Sequence, residues 1–320
     1  MAKDPFGPHH HVALDVTTIE REVRRFLAED VGSGDVTTAR VVPPSALAHA
    51  TMVARERCVA AGLTIAAAVF RAVDDAVAVR SCVREGDAVA AGAVLLKLDG
   101  PAAAMLTAER VALNLVQRLS GIATITRRYA DAVAGTGVSV SDTRKTTPGL
   151  RLFEKYAVHV GGGRNHRMGL HDAILIKDNH IAIAGGVANA LAAARRASSG
   201  PGMPIQIEVD TLDQLAEALD LGVEAVLLDN MTPATVAEAV RRTRTHPRGH
   251  DCWIEASGGI TLETIRAYAD AGVDTISVGA LTHSAPSADV ALDFQTAWPD
   301  RDSAMSEPVF APGKQRSRRL

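Results

Sequence analysis

The second half of this chain repeats one unit, which consists of a short apolar run, a polar residue at its end, and an amphipathic stretch. From Val138 onward the apolar runs read VSVSDTRK, AILIKDN, IQIEVD, AVLLDN, WIEASGG and TISVGA. Amphipathic stretches with helical spacing separate the later runs, at about 185–197, 211–221, 232–245 and 261–271. Apolar strands that alternate with helices indicate parallel strands buried on both faces. The pattern predicts a parallel α/β barrel, with a doubly wound sheet as the alternative.

Side chains that can bind a ligand fall at the C-terminal ends of these predicted strands. Right-handed crossovers bring such ends to one rim, which is the face where α/β barrels place their sites. We therefore expect a single site there. Its candidate residues are Arg144, Lys145, Lys177, Glu208, Asp229, Ser257, Gly258, Gly259 and Gly279.

The stretch between Arg144 and Lys177 is strongly basic, although the whole chain carries a formal net charge of −3. It contains seven basic residues against only two acids, Glu154 and Asp172. A local cationic region in a mildly acidic protein favours a small anionic ligand over nucleic acid, which requires a broad basic surface. The seven are Arg144, Lys145, Arg151, Lys155, Arg164, Arg167 and Lys177.

Composition narrows the class of protein further. At 320 residues the chain is long enough for one large domain or two, and 47% hydrophobic with 22% charged residues is typical of a globular protein. Its three cysteines show no CxxC pairing, so we expect a reducing, cytoplasmic location. No apolar run approaches the ~18 residues of a membrane span.

The first third of the chain predicts a separate α/β layer. Residues 17–29 have the capping residues and spacing of a helix, and short Val- and Ala-rich runs from 48 to 98 predict a small sheet with one helix at Leu63–Val73. A longer helix is expected from Thr107 to about Arg118. The predicted organisation is an N-terminal domain over 12–118, joined by a C-terminal helix at about 284–298, a barrel over 119–283, and a disordered tail over 299–320.

Six ordered motifs in the barrel half resemble a known family. They read DTRKTTPGLR, EKYAVHVGGGRNHRMGLHDAILIKDNHI, IEVDTLDQ, LLDNM, EASGGI and SVGALTHS. They are similar to the quinolinate phosphoribosyltransferases, also called carboxylating nicotinate-nucleotide pyrophosphorylases, and the likeness covers nearly the whole chain. The resemblance implies an N-terminal open α/β sandwich and an incomplete parallel α/β barrel of the type II phosphoribosyltransferase kind.

The same resemblance implies an activity and its partners. Quinolinate and phosphoribosyl pyrophosphate would give nicotinate mononucleotide, carbon dioxide and pyrophosphate, with Mg²⁺ as cofactor, in de novo NAD biosynthesis. It also implies a homodimer in which Arg110 reaches the site of the neighbouring subunit. Neither nucleic acid nor a membrane is expected as a partner.

Site roles follow from the resemblance, position by position. Quinolinate is a planar dicarboxylate, which the forked guanidinium of arginine suits well. The implied quinolinate contacts are Arg144, Lys145, Arg167 and Lys177, with His166 beside them and Thr143 adjoining. The implied phosphate contacts are Ser257, Gly258, Gly259, Val278, Gly279, Ala280 and His283.

Glu208 and Asp229 are the expected contacts of the ribose and of Mg²⁺. Negative charge there would stabilise an oxocarbenium-like transition state as pyrophosphate leaves. We expect the catalytic set to be Lys145, Lys177, Glu208 and Asp229.

The residues leave several other activities open. Glu208 and Asp229 could serve glycoside hydrolysis, and Lys177 at a strand end could be the nucleophile of a Schiff-base aldolase. A phosphoribosyltransferase for another aromatic carboxylate, or a non-catalytic phosphate-binding barrel, would share much of the pattern.

Overall fold

The structure is a computed structural model, and it describes residues 4, 12, 14–197 and 203–295. The predicted tail over 299–320 lies outside the described residues. The N-terminal part consists of α1 (Val16–Val31), α2 (Thr38–Val41), β1 (Leu47–Ala54), β2 (Cys58–Val59), α3 (Leu63–Val73), β3 (Ala78–Ser81), β4 (Ala88–Val89), β5 (Val94–Pro101) and α4 (Ala102–Ala132).

The remaining elements alternate between strand and helix. They are β6 (Ser139–Ser141), α5 (Arg151–Val160), β7 (Ile174–Ile176), α6 (Asp178–Ala184), α7 (Val187–Ala197), β8 (Ile205–Val209), α8 (Leu212–Asp220), β9 (Ala225–Asp229), α9 (Pro233–Thr245), β10 (Trp253–Ser257), α10 (Ile265–Asp270), β11 (Thr275–Ser277), α11 (Ala280–His283) and β12 (Val290–Gln295).

Helix α1 illustrates how local sequence determines an element of the first layer. Asp15 caps the helix by accepting from the backbone N–H of Thr18, and the chain turns away at Gly32 with a φ of +53°. Its buried face, Ile19, Val23 and Leu27, follows the helical period. With α3 and α4 it covers an antiparallel sheet of order β12-β1-β5-β3. This is the predicted open α/β sandwich.

The predicted helix at about 284–298 is wrong. Residues Val290–Gln295 form β12, which pairs antiparallel with β1 so that Leu292 lies opposite Met52. Without this strand the backbone groups along the outer edge of β1 would have no partners. The segment joins the N-terminal sheet as expected, but as a strand.

Helix α4 is much longer than predicted and crosses the expected domain boundary between 118 and 119. Its buried positions continue at helical spacing through Leu119, Ile122 and Thr126 to Tyr129. The helix continues through Gly121, and a glycine is required at this position by close packing. The backbone of Pro286 approaches it so closely that a Cβ would lie 1.9 Å from the Pro286 carbonyl oxygen. One continuous helix therefore connects the sandwich to the barrel.

Six parallel strands form the second half, in the order β6-β11-β10-β9-β8-β7. From β7 to β11, strands that are neighbours in sequence are neighbours in the sheet, and β6, the first strand of the barrel, lies beside β11, the last. This order defines a barrel and excludes the doubly wound alternative, whose strand order reverses direction partway.

The barrel is incomplete because, in the part of the chain that the structure describes, β6 and β7 do not pair. Arg164 occupies the free edge of β6 and forms a parallel bridge with Ser141. Its N–H donates to the carbonyl of Val140 at 2.8 Å, and its carbonyl accepts from Asp142 at 3.1 Å. The loop after α5 therefore lies where a closed barrel would have a strand contact. Helix α5 itself was not predicted.

Candidate active site

A cavity of about 580 Å³ opens at the C-terminal ends of the barrel strands. Every strand of the barrel contributes to its wall, either directly or through the loop that follows it. The predicted site residues that line it are Thr143, Arg144, Lys145, His166, Arg167, Lys177, Glu208, Asp229, Ser257, Gly258, Gly259, Val278, Gly279, Ala280 and His283. Arg110 alone of the predicted set lies elsewhere, exposed on α4.

One side of the cavity is cationic. Arg167 is only 6% exposed, and its Nη1 donates to the carbonyl of Ala173 at 3.0 Å, which fixes the guanidinium in place. Burial, together with the nearby guanidinium of Arg144, lowers the pKa of Arg167. The Nε of Arg144 is buried without a hydrogen-bond partner among the described residues. Two guanidiniums that act on each other in a partly desolvated wall favour the binding of an anionic ligand.

Another part of the cavity lining combines an ion pair with a second carboxylate. The Nζ of Lys177 donates to the Oε2 of Glu208. Asp229 accepts from Asn230 Nδ2 at 2.6 Å. Burial raises the pKa of both the Glu208 and the Asp229 carboxyl, and the Lys177 ammonium opposes that rise in each. A polar group or cation of a ligand would relieve this desolvation.

Two glycine turns form the third part of the wall. Gly258 has a φ of +95°, and a Cβ there would lie 2.2 Å from the Asn230 side-chain oxygen. At Gly279 a Cβ would come within 3.0 Å of the Lys145 side chain. Only glycine lets the backbone lie this close to its neighbours, which leaves backbone N–H groups near the cavity.

The sequence did not single out the floor of the cavity. Glu255 on β10 is 1% exposed, accepts from Gln206 Nε2 at 2.8 Å, and has its Oε2 3.5 Å from His166 Nε2. Burial would raise the pKa of this carboxyl, but His166 and hydrogen bonds from Ser277 and Gln206 hold it below its ordinary value. Glu255 lies within the apolar run of its strand, so only the inward alternation of barrel strands could have indicated it. The other unpredicted lining residues are Tyr129, Leu175, Leu227, Ile260, Thr261 and Ser277.

Three of the seven basic residues do not line the cavity, which corrects the view of the segment as one cationic region. Lys155 is fully buried and paired with Asp142. Arg164 is paired with Asp4. Arg151 donates to the Thr146 hydroxyl and to the carbonyl of Met168. These three organise the loops from which Arg144 and Arg167 project.

The fold and this cavity define a class of protein. An incomplete parallel barrel, with cations, carboxylates and glycine turns around one mouth, belongs to an α/β-barrel protein that binds a small anionic ligand.

Comparisons with known proteins give the family. Residues 35–120 match the quinolinate phosphoribosyl transferase N-terminal domain, and residues 122–293 match the C-terminal domain of the same family. Nicotinate-nucleotide pyrophosphorylase [carboxylating] from Mycobacterium leprae is 46% identical over 275 residues, covering 85% of this chain and 95% of that protein. The probable enzyme of the same name from Bacillus subtilis is 42% identical, covering 86% and 93%.

The structural comparison agrees. The nicotinate-nucleotide pyrophosphorylase from Francisella tularensis superposes with a TM-score of 0.82 at 37% identity, covering 88% of this chain and 98% of that one. The chain therefore belongs to the quinolinate phosphoribosyltransferase family. In the described part of the chain, no helix has the length and apolar character needed to cross a bilayer.

Proposed function

We propose that this protein is a pentosyltransferase that converts quinolinate and phosphoribosyl pyrophosphate into nicotinate mononucleotide, carbon dioxide and pyrophosphate, as a step of de novo NAD biosynthesis. The name of its relatives describes this reaction in reverse, as the carboxylation and pyrophosphorolysis of a nicotinate nucleotide. The observation that carries the proposal is the composition of one cavity, whose lining combines cations suited to a diacid with carboxylates and glycine turns suited to a sugar phosphate.

The cationic wall would bind quinolinate. Arg144 and Arg167 would each take a carboxylate through the forked guanidinium, and Lys145 would add a mobile point charge. Because Arg167 is already fixed by the carbonyl of Ala173, little side-chain entropy is lost on binding. Held in this way, the pyridine nitrogen would point at the ribose.

The remaining walls would bind phosphoribosyl pyrophosphate. The backbone at Gly258, Gly259 and Gly279 would receive the 5-phosphate, while Glu208 and Asp229 would receive the ribose hydroxyls. As the bond between C1 and the pyrophosphate oxygen breaks, its electron pair leaves with pyrophosphate and positive charge develops on the sugar. The two carboxylates would stabilise that charge.

The second half of the reaction requires no protein nucleophile. The pyridine nitrogen forms its bond to C1 and becomes a pyridinium. The bond between C2 and its carboxylate then breaks, carbon dioxide leaves, and the electron pair stays on C2 next to the cationic nitrogen until C2 takes up a proton. The cationic residues would contribute by orienting the ring throughout.

Mg²⁺ is part of the proposal, and the residues fit a cation that is bound mainly through the substrate. The described residues contain no cluster of three His, Cys, Asp or Glu side chains that could hold a metal without other ligands. Glu208 and Asp229, however, face the same cavity, and the charge of Asp229 contributes to the raised pKa of Glu208. They would complete a ligand set of pyrophosphate oxygens and water, and the bound ion would neutralise charge on the leaving group.

We further propose a cytoplasmic homodimer in which Arg110 completes the neighbouring subunit's site. Arg110 is exposed on α4 and does not line the cavity of its own subunit. An arginine that acts on an anionic substrate from this position requires a second copy of the chain. The proposal of a reducing compartment is supported by Cys58, Cys82 and Cys252, which are unpaired in the structure.

Release of carbon dioxide tests this function. With carboxyl-labelled quinolinate, we expect carbon dioxide and pyrophosphate in equal amounts, and only when phosphoribosyl pyrophosphate is present. Replacing quinolinate by nicotinate should give little pyrophosphate, because nicotinate lacks the second carboxylate. Pyrophosphate release at the same rate with nicotinate would instead indicate a related transferase for a monocarboxylate.

The Schiff-base alternative is disfavoured by the geometry around Lys177. Its ammonium donates to Glu208, and a protonated, ion-paired lysine is not a nucleophile. Borohydride treatment in the presence of substrate should therefore trap no covalent adduct on Lys177.

A further inference from the structure

Beneath the cationic wall lies a buried polar cluster that the proposed reaction does not use. Lys155 on α5 and Asp142, directly after β6, form an ion pair in which both side chains are 0% exposed. Asn165, which is 5% exposed, completes the cluster. None of these three residues lines the cavity.

The cluster binds the backbone that carries the quinolinate-facing side chains. Asp142 Oδ1 accepts from the N–H of His166 at 2.9 Å, and Lys155 Nζ donates to the carbonyl of His166 at 2.8 Å. Asn165 Nδ2 donates to Asp142 Oδ2 at 2.7 Å and to the carbonyl of Lys155 at 2.8 Å. Both backbone polar groups of His166, the residue before Arg167, are thus held by one ion pair.

The same ion pair also holds the segment that carries the other arginine of the cationic wall. Arg144 follows Asp142 by two residues, and Arg167 follows Asn165 by two. The two arginines come from separate segments, which meet at the edge of β6 where the barrel is incomplete. A strand of a closed barrel would be held there by a full ladder of hydrogen bonds, whereas among the described residues this loop has one β-bridge and the buried cluster.

Stability alone does not account for such a cluster. Burying two charges costs desolvation, and a well-packed apolar pair of similar volume is often at least as stable. What an apolar pair cannot supply is a donor and an acceptor for the backbone of His166.

We propose that Lys155 and Asp142 are positioning residues that set the spacing of Arg144 and Arg167, and thereby the affinity for an aromatic dicarboxylate. The proposal deepens the proposed function, on which it rests for the identity of the diacid. Neither residue touches the substrate. Their effect is on the distance between the two guanidiniums that do.

The test compares binding and kinetics in Lys155→Met, which keeps the stem volume and removes the ammonium. We expect the Kd for phthalate, measured by calorimetry, and the KM for quinolinate to rise about tenfold or more, since small misplacements of binding groups have effects of this size. The KM for phosphoribosyl pyrophosphate should stay within about twofold, because its proposed contacts are on other loops.

A second variant separates positioning from folding. Lys155→Met leaves the Asp142 carboxylate buried without its cation, which lowers stability. Adding Asp142→Asn removes that charge at nearly constant volume and should restore the thermal unfolding temperature. The weakened binding of phthalate should persist in the double variant, because the donor to the His166 carbonyl is still missing.

The matched control is Arg244→Met. Arg244 also forms an ion pair, with Asp274 at 2.7 Å, and also binds a backbone carbonyl, that of Cys252, but at the opposite rim of the barrel. The Arg244→Met variant should be less stable than the wild-type protein. Its Kd for phthalate and its KM values for quinolinate and phosphoribosyl pyrophosphate should be unchanged.

Three results would overturn the proposal: a phthalate Kd within about twofold of the wild-type value in both variants, a rise of both KM values by the same factor, or no binding of phthalate by the wild-type protein. Failure of the proposed function is a separate result. It would appear as a wild-type protein that binds phthalate but does not turn over quinolinate, and the calorimetric comparison would still test the positioning role.

Discussion

The side chains of Glu208 and Asp229 must be ionised to stabilise positive charge on the sugar, yet burial raises the pKa of both carboxyl groups. The carboxylate forms are therefore lost, as pH falls, at a higher pH than for exposed carboxyl groups. We expect the acid limb of the kcat/KM profile to lie above the pH range in which an exposed glutamate titrates.

The role of Lys177 in this titration can be measured at a single residue. Because its ammonium lowers the pKa of Glu208 against the effect of burial, Lys177→Met should raise that pKa further. Carboxyl ¹³C NMR of glutamate-labelled protein reports it directly, with the exposed glutamates as internal reference. A Glu208 resonance that titrates together with the exposed glutamates in both proteins would contradict this description of the site.

Gly258 and Gly259 provide a matched steric comparison at adjacent positions. An alanine at Gly258 would place its Cβ 2.2 Å from the Asn230 side-chain oxygen, whereas at Gly259, with a φ of +60°, it would meet nothing within 4 Å. We expect Gly258→Ala to lower the free energy of unfolding by about 3 kcal/mol or more and Gly259→Ala by only about 1 kcal/mol.

Urea unfolding distinguishes these two variants. Since Asn230 also donates to Asp229, the first change should in addition raise the KM for phosphoribosyl pyrophosphate. Equal losses of unfolding free energy in the two variants would show that the contact with Asn230 does not restrict the residue at position 258.

At this scale the sequence predicted most of the cavity wall but not what supports it. Strand-end residues such as Arg144 and Glu208 could be identified because their strands end there in the apolar pattern, and family motifs added His166 and Arg167. Glu255 and the pair Asp142–Lys155 could not, because burial of a charged residue depends on a partner that is distant in sequence.

At the scale of helices and strands, the elements that the sequence predicted are those with a local signal. The barrel strands and the helices α7, α8 and α9 were predicted within a few residues, because continuous apolar runs and amphipathic periods are local signals. The length of α4 and the strand β12 were not, because each depends on the other part of the chain. The backbone at Pro286 packs against Gly121 of α4, and β12 exists because the edge of β1 requires a partner.

Gly121→Ala tests the contact between α4 and the segment that leads to β12. Helix propensity alone predicts a gain of about 1 kcal/mol from this change. The structure predicts the opposite, a loss of about 3 kcal/mol or more, since the new Cβ would lie 1.9 Å from the Pro286 carbonyl oxygen. A gain in the urea midpoint would mean that the two segments do not approach each other in this way.

At the scale of the whole molecule, the proposed dimer predicts that two inactive variants complement each other. Arg110→Ala should lose activity although Arg110 lies outside the cavity of its own subunit. Glu208→Gln should lose activity because Glu208 lines that cavity. In a hybrid dimer, one site receives both native residues. Random reassortment should therefore restore about a quarter of the wild-type activity.

Co-expression of the two variants with different affinity tags measures this recovery in the mixed population, and hybrids isolated from it should have about half of the wild-type activity because one of their two sites is complete. Hybrid dimers without activity would show that Arg110 acts in the site of its own subunit. A fully active Arg110→Ala variant would show that Arg110 does not contribute to either site.

The central claim is that separate segments of one chain place a diacid site and a sugar-phosphate site around the same barrel mouth. A crystal structure with phthalate and phosphoribosyl pyrophosphate bound together tests it most directly. We predict the phthalate carboxylates within hydrogen-bond distance of Arg144 and Arg167, and the 5-phosphate on the backbone of Gly258, Gly259 and Gly279. Phthalate or the 5-phosphate bound outside this cavity would contradict the account.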